Sequence, residues 1–350
     1  MAIQILNYKT INMKVLNVTL TTKKGGLEQV FLDYKEALTE RGVNVVSIIH
    51  TNSEINLDSD EHCYRIANFS KYDPFALFKM WRIVKMEKPD LILTHGNRAH
   101  YMMKKISAHV PVIGLSHVYS FKHIVKCDYI ITVSKDMKNS LVNLGYDIKR
   151  IFHIPNMLKI PQNIKYQEPS IRDVPVIGMM ARLDKIKGGE IFVKAISILK
   201  SRNIIVHSLI GGEGSEYQKI ENLISELSLE NQITMTGWVE NKEKFYQSID
   251  IFCLPSLKET FGLVILESFL YSKPVIASRL PGPVEVIQNR KNGLTVKTGD
   301  PEDLALAIEQ LISDVALRKS ITKQAFDDVL QYSERSIGNK IFAIFLKILK

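Results

Sequence analysis

Short apolar runs of strand length alternate with amphipathic stretches of helix length, and the pattern occurs twice. "KVLNVTL" (14–20) reads as a strand. "GGLEQVFLDYKEALTERG" (25–42) reads as a glycine turn and a helix stopped by Gly42, and "VNVVSIIH" (43–50) as the next strand. "DLILTH" (90–95), "VPVIGLSH" (110–117) and "CDYIITVS" (127–134) continue the series. The alternation lapses from Met157 to Val174, where "MLKIPQNIKYQEPSIRDV" has two prolines, scattered charge and no period. It restarts with strands at 174–181, 204–211, 232–237, 249–255 and 274–278, and with helices at 188–202 and 215–228. Strand–helix alternation predicts parallel sheets covered by helices on both faces. The lapse predicts two domains, 1–158 and 174–330, joined by a linker at 159–173.

A chain of 350 residues suits two cores of ordinary size. With 45% apolar and 24% charged residues it has the balance of a globular protein. No apolar run reaches the roughly 20 residues of a membrane span. Residues 1–12 lack a signal-peptide layout and read as an extension ahead of the first strand. Cys63, Cys127 and Cys253 are widely spaced, which fits neither a disulfide framework nor a zinc site and points to a reducing cytoplasm.

The net charge of +9 is lopsided. Residues 1–165 hold 23 Lys and Arg against 14 Asp and Glu; residues 166–350 hold 23 of each. An anionic membrane surface, nucleic acid and an anionic substrate are all candidate partners for the basic half. In it, "ALFKMWRIVKMEK" (76–88) sets Lys79, Arg82 and Lys85 at helical spacing, with Leu77, Trp81 and Val84 along another line. "RAHYMMKK" (98–105) sets Arg98, Lys104 and Lys105 beside Tyr101, Met102 and Met103. Basic residues beside partly exposed apolar ones suit an anionic lipid surface. Nucleic-acid binding would need basic residues interleaved with aromatic ones; only scattered pairs are present, so no nucleic-acid partner is expected.

Ligands of doubly wound sheets bind beyond the carboxyl ends of the strands. Four places there carry chemistry. In "ETFGLVILESFL" (259–270), Glu259, Thr260 and Phe261 fall in a strand-to-helix loop, Gly262 and Leu263 open the helix, and Glu267 lies about one turn inside it. A helix N-terminus favours phosphate, and carboxylates accept from paired sugar or ribose hydroxyls. In "ARLDKIKGG" (181–189), Arg182 and Lys187 flank a loop leading into a helix, a cationic set able to hold a diphosphate without metal. "TTKKGGLE" (21–28) places Gly25 and Gly26 where backbone can approach a ligand. His95 and His117 end strands.

Together these segments resemble the retaining GT-B glycosyltransferases of family 4 (glycosyl transferases group 1). "ARLDKIKG" is similar to that family's G-R-L-x-x-x-K-G segment, and "LPSLKETFGLVILESFLYSKPVIAS" to its E-x7-E segment. "PGPVEVIQNRKNGLTVKTGDPEDLALAI" follows the same pattern, with Ala181 and Pro283 standing where the family has glycines. The resemblance implies a GT-B fold: two doubly wound, Rossmann-like α/β domains facing across a cleft, with a last helix (331–350) returning to the first domain. It implies transfer of a hexose from a nucleotide diphosphate sugar, UDP foremost, to a saccharide or glycolipid acceptor of the cell envelope, with retention and without a metal or other cofactor. With the cysteine usage and the basic first half, the expectation is a cytoplasmic enzyme, peripheral on the inner membrane face. Arg182 and Lys187 would hold the diphosphate, Glu259 the donor sugar and Glu267 the ribose. Backbone near Thr260, Phe261, Gly262 and Leu263 would touch phosphate or sugar. Gly25 and Gly26 would approach the phosphates, His117 would face the sugar, and Trp238 and Val239 would meet the base. Catalysis would rest on Glu259, His117, Arg182 and Lys187. The alternatives are a GT-B sugar-nucleotide epimerase, against which the E-x7-E segment speaks, and a basic RNA-binding protein. Asp58-x-Asp60 spells the metal-binding D-x-D of other sugar transferases but sits in a polar run away from any strand end.

Overall fold

The computed structural model describes residues 12–22, 26–57 and 62–350. Gly25 of the predicted phosphate turn, and Asp58 and Asp60, lie outside the described residues. The chain divides into two compact units, 1–159 with 334–350, and 160–333.

In the first unit β1 (Lys14–Thr19), α1 (Gly26–Thr39), β2 (Asn44–His50), β3 (Cys63–Ile66), α2 (Pro74–Glu87), β4 (Leu91–His95) and α3 (Asn97–Ile106) follow in order. β5 (Val112–Ser116), β6 (Tyr129–Thr132), α4 (Lys135–Asn143) and β7 (Ile151–His153) complete the run. The seven described strands are all parallel, in the order β3-β2-β1-β4-β5-β6-β7. Central strands β1, β4 and β5 are almost wholly buried, as a sheet covered on both faces requires.

The second unit runs β8 (Val176–Met180), α5 (Gly189–Ser201), β9 (His207–Gly211), α6 (Tyr217–Glu226), β10 (Ile233–Gly237), α7 (Lys242–Ser248) and β11 (Ile251–Leu254). It continues with α8 (Leu263–Leu270), β12 (Val275–Ser278), α9 (Pro283–Val286), β13 (Leu294–Val296), α10 (Pro301–Ser313) and α11 (Val315–Val329). Its six strands are parallel too, in the order β10-β9-β8-β11-β12-β13. The last helix, α12 (Glu334–Leu349), packs on α1 in the first unit. Arg41 secures it by donating to Asn339 Oδ1 at 3.0 Å and to the Arg335 carbonyl at 2.8 Å.

Each sheet reverses its strand order once, between β1 and β4 and between β8 and β11. At such a reversal the loops leave in opposite directions and open a crevice at the carboxyl edge.

Three strands escaped the sequence reading. β3, β7 and β13 have only three or four residues, too few to show a period. The two basic segments need correction as well. α3 turns Met102 and Met103 into the core and α2 does the same with Val84, because these positions face the sheet. Lys104 pairs with Asp128 at 2.6 Å. Met102 and Met103 therefore offer no exposed apolar face beside Lys104 and Lys105, whereas Trp81 on α2 stays exposed with Lys79, Arg82 and Lys85. The three cysteines are free, and no described helix is long and apolar enough to cross a membrane.

Candidate functional site at the two strand-order reversals

In the second unit the loops after β8 and β11 are joined backbone to backbone. Leu257 N–H donates to the Ile186 carbonyl at 2.8 Å. Gly188 has φ +74, and a Cβ there would stand 2.0 Å from the Pro255 carbonyl oxygen, so only glycine allows this approach. Gly188 also caps α5. The contact brings together two side chains 72 residues apart: Lys187 Nζ donates to Glu259 Oε2 at 2.7 Å. Glu259 is largely buried and also accepts from Thr260 N–H at 3.1 Å. Arg182, on the same β8 loop, is exposed and its Nε meets Asp184 at 2.5 Å.

The loop after β12 closes in on the same place. A Cβ at Gly282 would lie 2.5–2.7 Å from the Thr260–Phe261 peptide. This glycine therefore carries the close approach. Pro283 occupies the first turn of α9, where its missing N–H costs nothing. Phe261 turns its ring into the core, against Tyr332 at 6.2 Å, which leaves only its backbone for a ligand. Gly262, at φ +90, starts α8, whose first amides have no intrahelical partner.

Glu267, one turn into α8, is held by two groups that the sequence reading missed. Lys242 Nζ donates to Oε1 at 2.6 Å and the Tyr246 hydroxyl to Oε2 at 3.2 Å. Lys242 and Tyr246 are four apart on α7 and so share a face, which was the available signal. Burial holds the Tyr246 phenol protonated, well above its ordinary range, and it stacks on Tyr271 at 5.1 Å. Both glutamates are thus restrained by a cation before any ligand arrives. Beyond β10, Trp238 is more than half exposed, while Val239 packs over Gly211.

The first unit's reversal is built differently: the Thr21 hydroxyl, just past β1, donates to buried Glu28 of α1, and two histidines stand at or just past the ends of β4 and β5. His95, at the end of β4, stacks on His117, just past β5, with centroids 5.8 Å apart. Asn17 uses its amide nitrogen on the Phe31 carbonyl, so its oxygen accepts from His95 Nε2 at 2.9 Å. His95 Nδ1 is left as an acceptor with no partner, and His117 Nε2 is also buried and unpartnered. Burial pushes the His117 imidazole down to about 4, and His95 well below its usual range. Both rings are neutral near pH 7. Gly26, at the start of α1, is exposed. Among the described residues no group of three or more His, Cys, Asp or Glu is arranged to hold a metal.

Two parallel sheets with a crevice-forming reversal in each, and a cation–carboxylate site at the second, define a GT-B protein. Comparison with known proteins gives the family. The model for "Glycosyltransferase Family 4" matches residues 24–159 and that for "Glycosyl transferases group 1" residues 162–328. The chain belongs to the family-4, group-1 GT-B glycosyltransferases. It is 26% identical over 325 residues to the lipopolysaccharide core biosynthesis glycosyltransferase LpsE of Rhizobium meliloti, covering 90% of this chain and 94% of that one. It is 27% identical over 346 residues to LpsD of the same organism, covering 95% and 98%. The fold matches that of Anabaena Alr3699/HepE, solved with UDP and glucose, at a TM-score of 0.83 and 20% identity over 96% of this chain and 100% of that one.

Proposed function

We propose that this glycosyltransferase moves a hexose from a UDP-sugar to a saccharide or glycolipid acceptor of the cell envelope, with retention and without a metal. The single observation that carries the reading is the Lys187–Glu259 pair at the β8/β11 reversal, with Arg182 on the same loop as Lys187. The lipopolysaccharide relatives support the acceptor class, and the UDP complex of the HepE structure supports the base.

As the glycosidic bond breaks, its electron pair leaves with the diphosphate. Arg182, Lys187 and the first amides of α8 would stabilise that growing charge, and preorganised donors of this kind act most strongly where water is excluded. Phosphate would take the place of Asp184 beside Arg182. Glu259, positioned by Lys187, would accept from hydroxyls of the donor sugar; Glu267, positioned by Lys242 and Tyr246, would accept from the ribose hydroxyls. Trp238 offers a flat face to the base and Val239 backs it. Backbone at Thr260, Phe261, Gly262 and Leu263 would contact phosphate or sugar. In the first unit, neutral His117 would act on the donor sugar as a hydrogen-bond partner, and Gly25 and Gly26 would approach the phosphates.

The test is a thermal-shift screen of nucleotide sugars, followed by turnover of the best donor in excess EDTA. Stabilisation by a UDP-sugar with turnover that persists in chelator is expected. Loss of turnover restored by magnesium or manganese would overturn metal independence and return attention to Asp58 and Asp60. Conversion of the donor without any acceptor would favour the epimerase.

A further inference from the structure

The first unit carries a surface that the donor chemistry does not use. Phe69 is 95% exposed and Phe75 79%; Tyr72, Phe78, Trp81 and Met86 are exposed with them. On α2, positions 75, 78, 79, 82 and 86 fall on one side of the helix, so Lys79 and Arg82 stand among these apolar side chains. Phe78 and Trp81 stack at 5.9 Å. Large apolar side chains gathered on one short segment and left in water mark a contact surface.

A pocket of about 410 Å³ opens beside Phe69, lined by Lys71, Arg98, Lys122 and His123 together with Asn97 and Ser120. Among the described residues Lys71, Arg98 and Lys122 form no ion pair; Arg98 reaches only Asn68 Oδ1, at 3.4 Å. His123 is 8% exposed, and its Nε2 lies 3.0 Å from Lys71 Nζ. Facing an ammonium, that nitrogen accepts, so the proton is on Nδ1, which has no partner. Three cations without a carboxylate partner and an unpartnered imidazole N–H thus line one cavity, a set of donors suited to an anion. Phe69–Lys88, Gly96–Lys105 and Val118–Lys126 contain ten Lys and Arg against two acids. Those acids are already engaged: Asp73 caps α2, and Glu87 accepts from Lys14 at 3.1 Å.

We propose that this face docks on an anionic bilayer. A lipid headgroup phosphate would enter the Lys71–Arg98–Lys122–His123 pocket, while Phe69, Tyr72, Phe75 and Phe78 enter the headgroup boundary. Exposed aromatic rings interleaved with cations on one side of a helix are what an interfacial helix requires. Stacked bases would instead need rings ordered along a basic groove. The proposal stands independently of the donor reading and is tested without donor.

The full chain is sedimented with vesicles of phosphatidylcholine alone or with 30% phosphatidylglycerol, at low and high salt. The wild type should bind only the anionic vesicles and be released by salt. Lys71→Ser/Arg98→Ser/Lys122→Ser should weaken binding at least tenfold. Phe69→Ser/Phe75→Ser/Phe78→Ser should weaken it comparably while leaving the salt dependence in place. Millimolar glycerol phosphate should not displace the protein, which separates a membrane headgroup from a free phosphate. All six side chains lie at the surface or in the pocket wall, and unchanged melting confirms that both variants fold. Absence of sedimentation with anionic vesicles at low salt would overturn the proposal. So would binding indifferent to both sets of substitutions, or displacement by glycerol phosphate or single-stranded RNA.

Discussion

The two strand-order reversals have the same topology and carry different side-chain chemistry. In the second unit the crevice edge holds two cation–carboxylate pairs, Lys187–Glu259 and Lys242–Glu267. In the first it holds two neutral imidazoles, stacked and short of hydrogen-bond partners. The topology dictates where a ligand can sit, and the side chains dictate which chemistry it meets there. Charges that are paired before binding stay in place at little cost while a diphosphate develops negative charge. A ring kept neutral by burial can instead accept or donate a hydrogen bond to an uncharged hydroxyl without repelling a cation.

The largest effect that could break this contrast is at Lys187. Lys187→Met should lower kcat/KM about 10²- to 10³-fold, the scale of losing one preorganised donor. Glu259→Gln should lower kcat and leave UDP binding nearly intact. Combining the two should cost less than the product of the single effects, because the pair touches. Strict additivity in steady-state kinetics would show that the ion pair is incidental.

The first unit should reveal itself through pH. His117 titrates at about 4 in the folded chain against 6.5 when free, so the unfolded chain binds more protons between these values. The stability that this neutral ring contributes is complete above pH 6.5 and declines as the pH falls to about 4. The loss across this window is on the order of 3 kcal/mol. Buried His95 and His100 add losses over the same range, so His117→Asn should reduce, without abolishing, the pH dependence of the urea midpoint in that window. A slope unchanged by the substitution would place the acid sensitivity elsewhere.

Glu267→Gln should weaken binding of UDP itself by about 1.5–3 kcal/mol, the worth of a charged hydrogen bond. Calorimetry reads this directly, and equal losses from Glu259→Gln and Glu267→Gln would remove the division of labour between the two carboxylates. The smallest effect is at Lys242. It is more than half exposed, so Lys242→Met should cost only about 0.2–1 kcal/mol of UDP affinity. A loss as large as that of Glu267→Gln would mean that Lys242 touches the ligand.

Much of this arrangement is legible in the chain. The strand–helix alternation predicts both sheets, because period and length are local properties. The eight-residue spacing of Glu259 and Glu267 places one in a loop and one on the helix that follows, which is where they stand. Legibility failed for short strands and for helix faces. Met102 and Met103 could not be told from exposed residues, because the side of a helix that meets the sheet depends on how α3 lies across it.

The sequence by itself determined the elements, the position of each charged side chain along its loop or helix, and the glycines that permit close approach. Only the tertiary structure decided which charge meets which. Lys187 reaches Glu259 because β8 and β11 are neighbours in the sheet, and Lys242 reaches Glu267 because α7 lies beside α8. It also decided that Phe69, Phe75 and Phe78 stay in water while Met80 and Ile83 of the same segment are buried. Backbone hydrogen bonds within a helix depend on neighbours in sequence. Ion pairing and exposure depend on which elements the whole chain packs together, and no local window contains that information.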